Sequence, residues 1–251
     1  MSLLSLPPEI LVLIASQLES RDFIPLLQLN HTFYNLLIYE LCKSDVSNTG
    51  GLALSFYAFW NYEARVRDML AAGANVDIQN PHWRYRTPLM LAVSRHHRGI
   101  AKILLEHGAN PNFTKDVMYG PLDLAILSAT SDDVSMMDLL LDNGADINLK
   151  GYRDRTPLHT AVRCQETAKL AFLLARGADV SVRESTKGRT PLHVAVAEYG
   201  PTENVRILLE AGSEVEARDS EGLTPFQIAA SSSDGSNFAA LLVEYGARTQ
   251  P

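Results

Sequence analysis

His159 and His193 are the residues of this 251-residue chain whose chemistry invites attention first. An imidazole can move protons near neutral pH or ligate a metal. Each of these two stands three residues after a threonine and two after a proline, in Thr156-Pro157-Leu158-His159-Thr160-Ala161 and Thr190-Pro191-Leu192-His193-Val194-Ala195. A histidine fixed in a repeated word is read first as part of a structural unit. The other reactive side chains form no defensible constellation. His96 and His97 are adjacent, so a helix cannot aim both at one ligand. His107 lies near a helix end, a favourable place for a cation. Asp132-Asp133 reads as a solvated turn. Cys42 and Cys164 cannot build a disulfide framework, and their scarcity suits a reducing compartment. No Cys-x-x-Cys, His-Glu-x-x-His, phosphate loop or Gly-x-Ser-x-Gly occurs. The expectation is a protein without catalytic residues, metal or cofactor.

The elements that position these residues recur with a fixed period. Looser copies of the hexapeptide are Thr87-Pro88-Leu89-Met90-Leu91-Ala92, Gly120-Pro121-Leu122-Asp123-Leu124-Ala125 and Thr224-Pro225-Phe226-Gln227-Ile228-Ala229. Successive starts at 87, 120, 156, 190 and 224 lie 33, 36, 34 and 34 residues apart. A second anchor follows each copy: Gly108-Ala109, Gly144-Ala145, Gly177-Ala178, Gly212-Ser213 and Gly246-Ala247. Thr is suited to an N-cap and Pro to the first helical position, where its missing N–H costs nothing. Leu anchors an inner helix, and Ala allows close helix approach. Gly supplies a left-handed residue after a second helix. The polar stretch before the next Thr predicts a hairpin-like finger.

This pattern resembles the ankyrin repeat, whose signature is T-P-L-H-x-A. The resemblance implies an all-α solenoid of helix-turn-helix units with hairpin fingers, and a His that bonds backbone between repeats. Six repeats are expected over 49–251: a degenerate 51–86, then 87–119, 120–155, 156–189, 190–223 and 224–251. In the first, Ala53 to Ala58 replaces the signature, but Met69 to Asp77 keeps the ending. The extra residues of the third are expected between Ser128 and Asp133. In the sixth, Phe238, Leu241 and Leu242 are expected to be partly exposed at the end of the stack.

The section before the repeats, 1–48, has a different pattern. Leu6-Pro7-Pro8-Glu9 reads as a helix start, Ile10, Leu11, Ile14 and Leu18 follow helical spacing, and further helices are expected around Phe23 to Leu29 and Phe33 to Leu41. The order Leu6, Pro7, Glu9, Ile10, Leu11, Ile14, Leu18, Asp22, Phe23, Leu26, Asn30, Phe33 resembles the F-box. That resemblance implies three helices docking on a Skp-type linker of cullin–RING ubiquitin ligases, through Leu6, Pro7, Ile10, Leu11, Ile14, Leu18, Phe23 and Leu26. From Leu3 to Leu41, 22 of 39 residues are apolar or aromatic, more than three short helices can hide among themselves. The alternative is that the surplus only caps the repeat stack. Phe56, Tyr57, Phe59, Trp60 and Tyr62 are expected to meet these helices.

The formal net charge of −7 argues against general nucleic-acid binding and against a membrane surface, and no apolar run is long enough to span a bilayer. A cytoplasmic or nuclear location is expected. The fingers nevertheless carry basic and aromatic residues of the kinds that dominate interfaces. These are Trp83, Arg84, Tyr85 and Arg86 in the longest finger, Tyr152, Arg153 and Arg155 in the third, and Arg183, Lys187 and Arg189 in the fourth. The fifth is acidic, with Glu214, Glu216, Asp219 and Glu221. An acidic or phosphorylated segment of a target protein is the expected ligand. The whole then reads as the substrate receptor of a Skp–cullin–F-box ligase, with a ligase-independent scaffold or inhibitor as the alternative.

Overall fold

The computed structural model describes residues 51–115, 117–128, 133–231 and 235–249. The expected F-box, with Leu6, Pro7, Ile10, Leu11, Ile14, Leu18, Phe23 and Leu26, lies outside the described residues. Those described form helices joined by turns and loops, with no strand among them and one isolated bridge, Asn80 to Arg86. The helices come in pairs: α1 (Leu52–Phe59) and α2 (Glu63–Ala71), α3 (Pro88–Ser94) and α4 (Arg98–Glu106), α5 (Pro121–Leu127) and α6 (Ser135–Asp142). Then follow α7 (Pro157–Arg163) and α8 (Thr167–Ala175), α9 (Pro191–Ala197) and α10 (Thr202–Glu210), α11 (Pro225–Ala230) and α12 (Ser236–Glu244).

The described chain divides into two compact units, one of 51–91 with 99–109, the other of 92–98 with 110–249. In the first, α1 packs on α2, and Leu54, Tyr57, Val66 and Met69 are buried. In the second, α7 packs on both α5 and α9, α9 on α11, and the outer helices α8, α10 and α12 stack in turn. None of these helices exceeds nine residues, too short to persist alone, so packing holds them. Pro121, Pro157, Pro191 and Pro225 start the inner helices at their first position. The signature alanines Ala125, Ala161, Ala195 and Ala229 are each buried to 1% exposure or less. At the far ends of the outer helices, Gly177 and Gly212 take φ of 87° and 89°, the left-handed conformation that closes a helix.

One expectation about the last pair is corrected. Phe238, Leu241 and Leu242 are 5%, 5% and 0% exposed. They lie on the face of α12 turned toward α11 and α10, and Val243, at 43%, carries the exposed apolar surface instead. The face of a helix, more than its place at the end of a stack, decides its burial.

Candidate functional site

The signature histidines are consumed by the fold. In α7, Nδ1 of His159 accepts from the Thr156 N–H at 3.3 Å and faces its hydroxyl at 2.9 Å, while Nε2–H donates to the Arg189 carbonyl at 3.2 Å, 30 residues on. His193 repeats the arrangement with Thr190 and the Leu223 carbonyl. One ring thus closes a helix start and ties it to the end of the next finger. An imidazole accepting at Nδ1 must be neutral, and burial pushes the His159 pKa down to about 4 and that of His193 in the same direction.

The same position in α5 is Asp123, and its surroundings differ. Its carboxylate is 6% exposed, accepting from the Gly120 N–H at 3.2 Å and, across to the next inner helix, from the Thr160 hydroxyl at 2.7 Å. Burial raises its pKa to about 6 against the lowering effect of the Thr160 and Gly120 bonds. Above it lies a cavity of about 280 Å3 lined by Met118, Tyr119, Asp123, Gly151, Tyr152, Arg153, Arg155 and Thr160. Tyr152, Arg153 and Arg155, chosen from sequence as target-binding residues, all line it. The finger that carries them is a short 3-10 turn, Tyr152–Asp154, with Arg153 and Asp154 at φ of 61° and 54°. The Gly151 N–H closes its base by donating to the Arg155 carbonyl at 2.8 Å. The Arg153 guanidinium lies 5.0 Å from the centroid of the Tyr152 ring. Arg155 is 3.7 Å from Glu184 of the next finger.

Trp83, Arg84, Tyr85 and Arg86 belong to the other compact unit. Trp83 closes the 3-10 turn Pro81–Trp83, and its ring meets Phe59 edge-on at 4.0 Å between centroids. Arg84 and Tyr85 have left-handed backbones, φ 56° and 60°, which thrust them outward, and Tyr85 is 49% exposed. Arg86 is half-buried, and burial together with the charge of Arg84 lowers its pKa. Among the described residues no carboxylate lies within 4 Å of either arginine. The fourth finger is different. Arg189 pairs with Asp219 at 3.3 Å, Lys187 with Glu221 at 3.3 Å, and Arg183 donates to carbonyls of Gly188 and Arg218. Arg189 and Lys187 are thus compensated by Asp219 and Glu221 of the fifth finger, while Arg183 is held by backbone carbonyls.

A family model described as "Ankyrin repeats (3 copies)" matches residues 54–151 and 158–250. This chain belongs to the ankyrin-repeat family. Among curated relatives, human "Ankyrin repeat and SOCS box protein 6" is 37% identical over 120 residues, 45% of this chain and 28% of that protein. Human "Transient receptor potential cation channel subfamily A member 1" is 33% identical over 93 residues, 37% of this chain and 8% of that protein. The chain therefore spans less than a third of the length of these relatives. The solved ankyrin repeat domain of Bcl-3, described as "a unique member of the IkappaB protein family", superposes with a TM-score of 0.69 at 27% identity, covering 78% of this chain and 86% of that one.

Ankyrin repeats are protein-interaction modules and generally non-catalytic. Among the described residues no group of His, Cys, Asp and Glu is placed to hold a metal ion, and no helix is long and apolar enough to cross a membrane. Two successive inter-helix turns do bring a hydroxyl, an imidazole and a carboxylate together. Ser128 Oγ lies 3.4 Å from His96 Nδ1, and His96 Nε2 3.0 Å from Asp133. The Ser128 hydroxyl, however, donates to the Ala125 carbonyl at 2.8 Å, and Asp133 is nearly half exposed, its pKa brought down to about 2 mainly by Ser135. The hydroxyl proton is committed to a carbonyl, so no activated nucleophile results.

Sequence reasoning missed Asp123 and Lys169. Asp123 was visible as the departure from His in the Gly120 copy of the ankyrin signature. Lys169 had no such signal, because a lysine in an outer helix reads as solvated. It is fully buried, and its Nζ donates to the carbonyls of Ile126 and Ser128 at 2.7 and 3.0 Å.

Proposed function

We propose that the protein is a non-catalytic adaptor: the substrate receptor of a Skp–cullin–F-box ubiquitin ligase, whose repeats hold a target for a separately bound ubiquitin-charged enzyme. Held proximity is the mechanism, since it raises the effective concentration of target lysines. The observation that carries the reading is the F-box-like series from Leu6 to Phe33 joined to an ankyrin array. A relative whose name couples ankyrin repeats to a second box supports a modular design. Arg84, Tyr85 and Arg86 are the surface best suited to an acidic or phosphorylated target segment, because the charges of Arg84 and Arg86 are uncompensated among the described residues and the backbone of Arg84 and Tyr85 holds these two outward.

The test is co-purification. The full chain should retain a Skp-type linker, and Leu6→Ala with Pro7→Ala should release it while circular dichroism of the helices is unchanged. A wild-type chain that ignores the linker favours the scaffold or inhibitor reading, in which the first helices only cap the stack. Arg84→Glu with Arg86→Glu should weaken target capture at least tenfold; unchanged capture removes this finger from the interface.

A further inference from the structure

The cavity over Asp123 has a floor made of oxygen acceptors. A methyl group placed on Gly151 would stand 3.7 Å from the Arg155 carbonyl oxygen, 3.8 Å from that of Met118 and 3.9 Å from Asp123 Oδ2. Three acceptor oxygens therefore border the space beside Gly151; the Arg155 carbonyl gives one lone pair to the Gly151 N–H and keeps the other. The Asp123 carboxylate has about four lone-pair sites, and the Gly120 N–H and Thr160 hydroxyl fill two. No lysine or arginine lies within 4 Å of it among the described residues. The two arginines on the cavity are engaged elsewhere, Arg153 on the Tyr152 ring and Arg155 toward Glu184. A buried carboxylate without a counter-charge is costly, and the neutral His159 and His193 serve the same helix position without that cost.

We propose that this cavity binds an alkylammonium group, with Asp123 as counter-charge and the Met118 and Arg155 carbonyls as further acceptors. An ammonium presents three donors, matching three converging oxygens. Met118 and Tyr152, 56% and 49% exposed, flank the opening and cover the alkyl stem. A volume of about 280 Å3 suits one side chain or a small amine and is too small for a nucleotide-sized cofactor. The ammonium can come from a lysine of a bound protein or from a free diamine. Recognition of either is independent of whether the chain engages a ligase.

The full chain, labelled with 15N, is titrated with Nα-acetyl-lysine methylamide, with putrescine and, as a control, with sodium acetate at matched ionic strength. At pH 7.5 an amine should shift the Gly120, Gly151 and Thr160 amide signals with a dissociation constant on the order of millimolar. Stronger binding by the lysine derivative marks a protein side chain as the source, and stronger binding by putrescine marks a free amine. Asp123→Asn should weaken binding at least tenfold. Gly151→Ala should do the same, since its methyl makes only ordinary contacts and its φ is −96°, so the fold tolerates it. Binding should fade as pH falls through about 6, where Asp123 takes up a proton. Among the described residues, the other ionisable groups facing it are Tyr119, Tyr152, Arg153, Arg155 and, on α7, Cys164, whose thiol burial pushes up, and His159, held neutral down to about 4. Amine shifts that persist in Asp123→Asn, or acetate shifting the same amides, would overturn the proposal, as would no shift with either amine.

Discussion

The units that begin at Thr156 and at Gly120 meet one requirement with different residues. Both need an acceptor for the N–H of the residue that caps an inner helix and a link to the next unit. His159 supplies both while neutral, and it fills its space: its two nitrogens reach Thr156 and the Arg189 carbonyl. Asp123 supplies both as well, through Gly120 and Thr160, but it is shorter, ionisable, and leaves a cavity above itself. The comparison teaches that a signature residue can be replaced without losing the fold, and that the replacement transfers a stability cost into a binding opportunity.

The largest expected difference is in truncation. His159→Ala strands a buried N–H and a partly buried carbonyl and should cost about 2–4 kcal/mol in urea unfolding. Asp123→Ala removes an uncompensated charge along with its bonds and should cost about 1 kcal/mol or less. Equal losses would erase the distinction. The pH dependence comes next and has opposite signs. His159 has a folded pKa of about 4 against an ordinary 6.5, so its contribution is full above pH 6.5 and is lost as pH falls toward 4, up to about 3 kcal/mol. Asp123, raised from 3.8 to about 6, favours the folded state below pH 3.8 and loses that as pH rises through 6. Stability measured between pH 4 and 6 should therefore rise more steeply with pH in Asp123→Asn than in the wild type. At pH 7.5 the same variant, whose amide oxygen accepts from the Gly120 N–H and whose amide N–H donates to the Thr160 hydroxyl oxygen, should be more stable by about 1–3 kcal/mol. The smallest effect belongs to the fingers: a double-mutant cycle on Lys187 and Glu221, both about half exposed, should give no more than about 0.5 kcal/mol of coupling.

Most of the helical framework was legible because Thr, Pro and Gly act locally, through caps and fixed dihedrals, and leave a periodic mark. The roles of individual charged residues were not. Arg189 and Lys187 read as a free basic surface, yet their partners Asp219 and Glu221 lie 30 and 34 residues away, a separation that pattern alone does not pair. Trp83 read as an exposed finger tip, but its ring is held by Phe59, itself expected to face the N-terminal helices. Tyr152, Arg153 and Arg155 were selected for their types, and the structure gathers them on one cavity. The residue beneath them, Asp123, is hidden in the sequence because it sits inside a motif whose other residues serve capping and stacking.

Lys169 gives the chain a fixed order. Its ammonium is received by the carbonyls of Ile126 and Ser128, and Ser128 ends α5 in an extended conformation, φ −68° and ψ 140°. The corresponding residues Cys164, Glu198 and Ser231, with ψ of −5°, 6° and −5°, keep a helical turn. The lysine of one unit is thus fitted to the irregular ending of the unit before it. Exchanging units, or copying the one at Thr156 to another place, would bury an ammonium against a turn not shaped to receive it. Although the units look like repeats of one another, this junction makes their sequence along the chain non-interchangeable.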